Sequence, residues 1–418
     1  MEHEFPTRRL GDVCENFDRL RVPLSSRLRS ERRGTFPYYG AAGILDYVDR
    51  PIFNGMHLLV GEDGSVATED GRPVLQLPVG EFWVNNHAHV LRGRTDEETR
   101  FLFYALSSIY VRPYLSGSVQ PKLTQENLNR IELPYPAISE RRAIARVLGS
   151  LDDKIELNRR MNRMLEEICR ALFKFWFVDF GPVRAKMEER WKKGESLPGM
   201  PADMWDLWPN EFQDSEIGEV PKGWGVSNLG NETLTLLGGT PSRAEPSYWA
   251  EGTVGWINSG EVNRFRIVKP TEWITELAVS KSAAKLLPPH TTVLAITGAT
   301  IGKVSISEIP TTTNQSVIAV LPTANLPTEF IYFWVRNRMP DLIAGQTGGA
   351  QQHINKNDVN NLLLLLSPKA VMNRFLAIAG PLFSRIRSNE FESLLLAELR
   401  DALLPKLLSG EIRVKVDS

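Results

Sequence analysis

Two segments place glycine, lysine or histidine at spacings close to those of phosphate and metal sites. Gly298-Ala299-Thr300-Ile301-Gly302-Lys303 puts a lysine after a glycine-bounded loop. A nucleotide-binding loop needs four residues between its glycines and Ser or Thr after the lysine. Here there are three, and Val304 follows. The segment reads either as a tight turn after a buried strand or as a turn whose backbone N–H groups and Lys303 meet a nucleic-acid phosphate. His87 and His89 lie two apart, with no cysteine or carboxylate partners at metal spacing, and read as surface or hydrogen-bonded histidines. No Gly-x-Ser-x-Gly, no Gly-x-Gly-x-x-Gly and no Asn-Pro-Pro-aromatic motif occurs. The pattern predicts a binder with no metal and no catalytic residues.

Polyanion contact is the stronger signal. Arg19, Arg21, Arg27, Arg29, Arg32 and Arg33 stand against the single acid Glu31, and Tyr38-Tyr39-Gly40-Ala41-Ala42-Gly43 follows. Arginine suits phosphate or the guanine edge, and glycine lets a backbone approach closely; a solvated charged loop is the alternative. Further along, Thr240, Ser242, Arg243, Asn258 and Ser259 are predicted phosphate or base contacts, while Tyr248 and Trp249 read as core. Asn314 and Gln315, matched earlier by Asn86 and His87, join Lys303 in the candidate set. Gln120 with Lys122, and Gln351 with Gln352 and His353, open the segment before the last strand of each half. Such amides either pair with adenine or form turns and caps.

The elements that carry these residues are written twice. Gly117–Leu123 returns 231 positions later as Gly348–Ile354, and Leu151, Ile155, Asn158, Leu165, Ile168 and Leu172 return as Leu382, Ile386, Asn389, Leu396, Leu399 and Leu403. Residues 1–136 read as a strand-rich module and 137–181 as a long helix whose apolar residues step by 3 and 4. Residues 182–224 form a linker whose Trp191, Trp205, Trp208 and Trp224 predict that it lies against a surface. A second module spans 225–367, a second long helix 368–410 ended by Pro405 and Gly410, and a tail 411–418. Leu151, Ile155, Asn158 and Leu165 are predicted to pair with Leu382, Ile386, Asn389 and Leu396. A polar residue in such a seam fixes register and partner. The fold class is α+β: two mixed modules joined by two long antiparallel coiled-coil helices, with pseudo-two-fold symmetry. Helices of about 50 Å match roughly 15 base pairs of DNA.

Bulk composition narrows the class. The 418 residues carry a net charge of −1, so any polyanion contact must be local. Two cysteines give no disulfide framework, and the first residues lack a signal core, which predicts a cytoplasmic protein with no membrane partner.

Several stretches resemble the specificity subunit of type I restriction-modification systems. These are Ile138–Ala145, Leu148–Asn162, Ala171–Phe180, Asp214–Trp224 and Gly238–Pro241 with Tyr248-Trp249. The resemblance implies two target recognition domains, each reading half of a bipartite double-stranded DNA target. It implies helices that set the spacer and dock two methyltransferase subunits, with restriction subunits able to join. It also implies a non-catalytic chain without cofactors of its own, S-adenosylmethionine, ATP and Mg being expected on the partners. A stand-alone nuclease or methyltransferase, or a coiled-coil scaffold with no DNA role, are the competing readings.

Overall fold

The computed structural model describes residues 5–117, 120–345 and 353–414. Four helices frame the fold: α1 (Asp96–Ser107), α2 (Ile138–Phe177), α3 (Thr328–Ala344) and α4 (Lys369–Ser409). The chain divides into two compact units. One holds residues up to Glu156 and from Leu395 onward; the other is Leu157–Leu394. Both α2 and α4 run through the division.

Two four-stranded sheets hold most of the first unit's strands. Ala88–Arg92 and Leu58–Gly61 lie at the centre of one, with Glu15–Asn16 and Leu75–Gln76 outside them. In the other, Arg33–Tyr39 lies between Ile44–Val48 and the parallel strand Glu81–Val84. Thr95 caps α1 through the Glu98 N–H, which sets where this helix starts. The apolar side of α1 packs with Ile144, Leu148, Leu407 and Leu408 in one core. Tyr104 of α1 donates to Asp152 of α2, which also accepts from Arg400 of α4 at 2.6 Å. Glu98 accepts from Tyr135 and from Arg141.

The second unit repeats this plan. Val317–Val320 and Thr291–Ala295 are central to a sheet flanked by Thr235–Leu237 and Val304–Ser307. Val254–Ile257 lies between Glu272–Ile274 and the parallel strand Thr312–Thr313. Helix α3 covers the larger sheet. Phe173, Trp176 and Phe177 of α2 pack with Phe330 and Trp334 of α3, Phe375 of α4, and the linker residues Trp191, Trp208 and Trp224. Trp191, Trp208 and Trp224 therefore lie inside a core, and Trp205 packs half-buried against it. The Trp208 and Trp224 rings lie tilted against each other with centroids 5.4 Å apart.

Within this unit α2 and α4 run antiparallel around a polar layer. Asn158 Nδ2 donates to Glu392 at 2.9 Å and Asn389 Nδ2 to Asn162 Oδ1 at 2.7 Å, while Asn162 Nδ2 donates to Glu390 at 2.7 Å. Asn158 and Asn389 have no exposed surface, as the seam requires. The seam itself departs from the predicted one. After Asn158 the buried positions are Asn162, Glu166, Cys169, Phe173 and Trp176, whereas Ile168 and its repeat mate Leu399 are 52% and 47% exposed. A helix has 3.6 residues per turn, so a 3.5-residue repeat drifts off one face; the step of four from Asn158 to Asn162 corrects the drift. Pro405 does not end α4, which continues to Ser409 because Leu407 and Leu408 are drawn into the first unit's core. No helix among the described residues is long and apolar enough to cross a membrane.

Candidate nucleic-acid interface

The arginine-rich segment folds as a capped turn of helix, Ser26–Glu31, running into the strand Arg33–Tyr39. Most of its charge is held by the fold. Arg29 pairs with Asp46 at 3.0 Å and lies over the Tyr38 ring; Arg32 pairs with Asp49 at 2.7 Å and lies over Trp83. Arg27 meets only the exposed Glu31, one turn along, and Arg33 is exposed. Tyr38 is a correction to the sequence reading: its ring is 1% exposed and its hydroxyl accepts from the Leu24 N–H. Tyr39 packs edge-on against Phe82. Gly40 and Gly43 close the hairpin, Gly43 at φ 149°, where a side chain would be strained. The exposed Ile44, Leu45 and Tyr47 follow.

Gln120 is exposed, while Lys122 pairs with Glu62 at 3.0 Å. Glu62 belongs to a network that the sequence reading missed. Arg21 bonds Glu62 and the Ala88 carbonyl, and His89 meets Asp18 at 2.6 Å and the Leu123 carbonyl at 2.7 Å. Asp18, Glu62 and His89 form the one grouping among the described residues with metal-ligand geometry. Arg21 and Lys122 already balance its carboxylates, so the grouping works as a structural knot. Burial pushes the Asp18 carboxyl up, but hydrogen bonds from His89 and the Val90 N–H, with the His89 and Arg21 charges, outweigh it and hold the group below its usual value. Glu62 is likewise raised by burial and lowered further by Arg21, Lys122 and His89. With folded values below unfolded ones (about 4), the stabilisation is complete above the unfolded value. It is lost as pH falls through the folded value. Calorimetry of the full chain is expected to show the first unit's thermal midpoint falling below about pH 4, and Asp18→Asn to flatten that fall. An identical acid profile in the variant would exclude this knot from the pH response.

In the second module several candidates lie at the ends of the sheet formed by Val254–Ile257, Glu272–Ile274 and Thr312–Thr313. Gly238 and Gly239 pass so close to Thr313, Asn314 and Ala283 that a Cβ on either would meet them within 2.1–2.6 Å. That approach brings the Thr240 hydroxyl to Gln315 at 2.6 Å. Arg243 forms a two-pronged pair with Glu272 at 2.6 and 2.7 Å and stacks 3.5 Å from the Trp249 ring centre. Asn258 accepts from the Gly260 N–H, and Ser259 and Ser242 lie beside these turns. Lys303 follows the turn Gly298–Thr300 and is exposed, as is His353. Gln351 and Gln352 lie outside the described residues. The exposed Lys281 and Lys285 flank the Ala283 contact, and no spacing in the sequence marks them.

One backbone bond matches the two modules. The Asn85 N–H donates to the Tyr39 carbonyl, and the Asn314 N–H to the Ile257 carbonyl. Each asparagine then accepts from the N–H two residues on, His87 or Ser316. Asn314 thus matches Asn85, one residue from the Asn86 pairing that the sequence suggests.

The two modules share one sheet plan, and each ends beside a long helix. The family model "Type I restriction modification DNA specificity domain" matches residues 2–167 and again 221–370. The chain belongs to this family. The MjaIX specificity subunit of Methanocaldococcus jannaschii is 26% identical over 324 residues, covering 76% of this chain and 70% of the relative. The HindI specificity subunit of Haemophilus influenzae is 28% identical over 358 residues, covering 75% and 77%. The S subunit of the M. genitalium type I system, a crystal structure, aligns with a TM-score of 0.58 at 16% identity over 97% of this chain and 96% of that one. That likeness concerns the fold. The two modules are therefore the DNA recognition domains of a specificity subunit.

Proposed function

We propose that this specificity subunit reads a bipartite double-stranded DNA target, one half with each recognition domain, and carries no catalysis of its own. The observation that carries the reading is one asparagine-to-backbone bond repeated in the two domains. In one domain the asparagine-to-backbone bond adjoins the Gly40–Gly43 hairpin, at the end of the strand that Arg33 opens. In the other it adjoins Gln315, which accepts from Thr240, and the turn of Asn258 and Ser259. A common frame with different side chains suits two different half-sites, since bases are read by donor and acceptor pattern in the groove.

In this reading the helices α2 and α4 set the spacer and dock two methyltransferase subunits in the cytoplasm. Met164 and Ile168, 67% and 52% exposed, have repeat mates Leu395 and Leu399, 65% and 47% exposed. Each pair is apolar, one turn apart and outside its unit's core, as a helix-docking stripe requires. S-adenosylmethionine, ATP and Mg belong on the partner subunits, and a restriction subunit can join them. Methylation-sensitive sequencing of host DNA is expected to reveal a bipartite motif that disappears on deleting this gene. A methylome unchanged by the deletion would overturn the reading.

A further inference from the structure

Beneath the second recognition domain lies a buried charged cluster that neither the recognition residues nor the docking stripes use. Arg266 is 2% exposed, with its guanidinium among the rings of Phe265, Tyr332 and Phe383 at 4.5, 4.8 and 5.3 Å. It lies between two carboxylates, Glu166 of α2 at 3.5 Å and Glu308 of the domain at 3.6 Å. Glu166 also accepts from Tyr332 of α3 at 2.9 Å and from Arg336. Glu308 faces His290 at 2.8 Å and Arg387 of α4 at 3.8 Å. One buried cation therefore joins the domain, its covering helix and both long helices.

We propose that Glu166 and Arg266 are positioning residues that fix the attitude of the second recognition domain on the helix pair, and thereby the DNA spacer the enzyme accepts. An apolar joint can slide, because one close-packed arrangement of leucine or phenylalanine is energetically near the next. A buried carboxylate and guanidinium cannot, because any shift leaves a charge without its partner. The first unit supplies an independent parallel. Tyr104 of α1 also donates to a carboxylate of α2, Asp152, with an arginine on the same group. Each domain is thus keyed to α2 through a tyrosine and an acid, but the second key is sealed from water while Asp152 and Arg400 remain 30% and 29% exposed.

This inference rests on the bipartite reading above. The test uses the full enzyme complex in cells, with plasmids carrying the wild-type half-sites at the native spacer and at spacers one base pair shorter and longer. Glu166→Gln and Tyr332→Phe are expected to keep both half-site sequences while lowering discrimination against the altered spacers about tenfold. Tyr332→Phe removes only one hydroxyl, so it decides the matter if Glu166→Gln does not fold. Methylation that falls equally at every spacer, or a spacer preference as sharp as wild type, would overturn the assignment. Absence of any bipartite motif in the wild-type enzyme would instead count against the underlying reading.

Discussion

Replacing Trp176 with alanine is expected to destabilise the second unit by about 3–5 kcal/mol, the range for deleting a large buried aromatic. Its side chain has no exposed surface, its indole N–H donates to the Gly199 carbonyl at 3.1 Å, and its ring meets Trp208 edge-on at 5.6 Å and Phe375 at 6.1 Å. Alanine would leave a cavity where α2, α4 and the linker meet, and would remove the hydrogen bond to the Gly199 carbonyl. Trp205 is the control. It is half-buried, and the Lys186 ammonium lies over its ring at 3.7 Å, an interaction of about 0.5–1 kcal/mol at an open site. Denaturant unfolding of the full chain should separate the two variants clearly. Equal midpoints for Trp176→Ala and Trp205→Ala would mean that the linker contributes no core.

The second large effect is expected at the exposed helix pairs. If they dock methyltransferase subunits as proposed, each buried apolar side chain contributes about 1.5–3 kcal/mol, so losing a pair weakens association by about a hundredfold or more. Met164→Glu with Ile168→Glu should therefore remove one partner subunit, and Leu395→Glu with Leu399→Glu the other. The quadruple variant should remove both. All four residues are outside the cores, so folding should stay within about 0.5 kcal/mol of wild type. Co-purification with the cognate methyltransferase, with mass measured in solution, gives the stoichiometry. Two partners retained on the quadruple variant would refute the assignment.

The long helices, their paired asparagines and the double module were legible because apolar spacing and a long exact-offset repeat survive without knowledge of contacts. Asn158 and Asn389 lie where the heptad pattern puts them. Ile168 and Leu399 do not, because a pattern of steps of 3 and 4 cannot say at which step the seam takes its correction. The linker was legible as aromatic, but which core would take Trp191, Trp208 and Trp224 depended on α3 and α4, more than a hundred residues away in sequence.

Charge was the least legible property. Sequence alone marks Arg29, Arg32, Arg243 and Lys122 as cations. Only the fold brings Asp46, Asp49, Glu272 and Glu62 against them and so decides which cations serve the domain. The same holds for Arg266 and Glu166, one hundred positions apart and joined only when the domain closes on its helix. Local spacing along the chain determined the helices, the repeat and the family. The tertiary structure decided which polar groups are partnered, because an ion pair depends on distances in space that no one-dimensional spacing encodes.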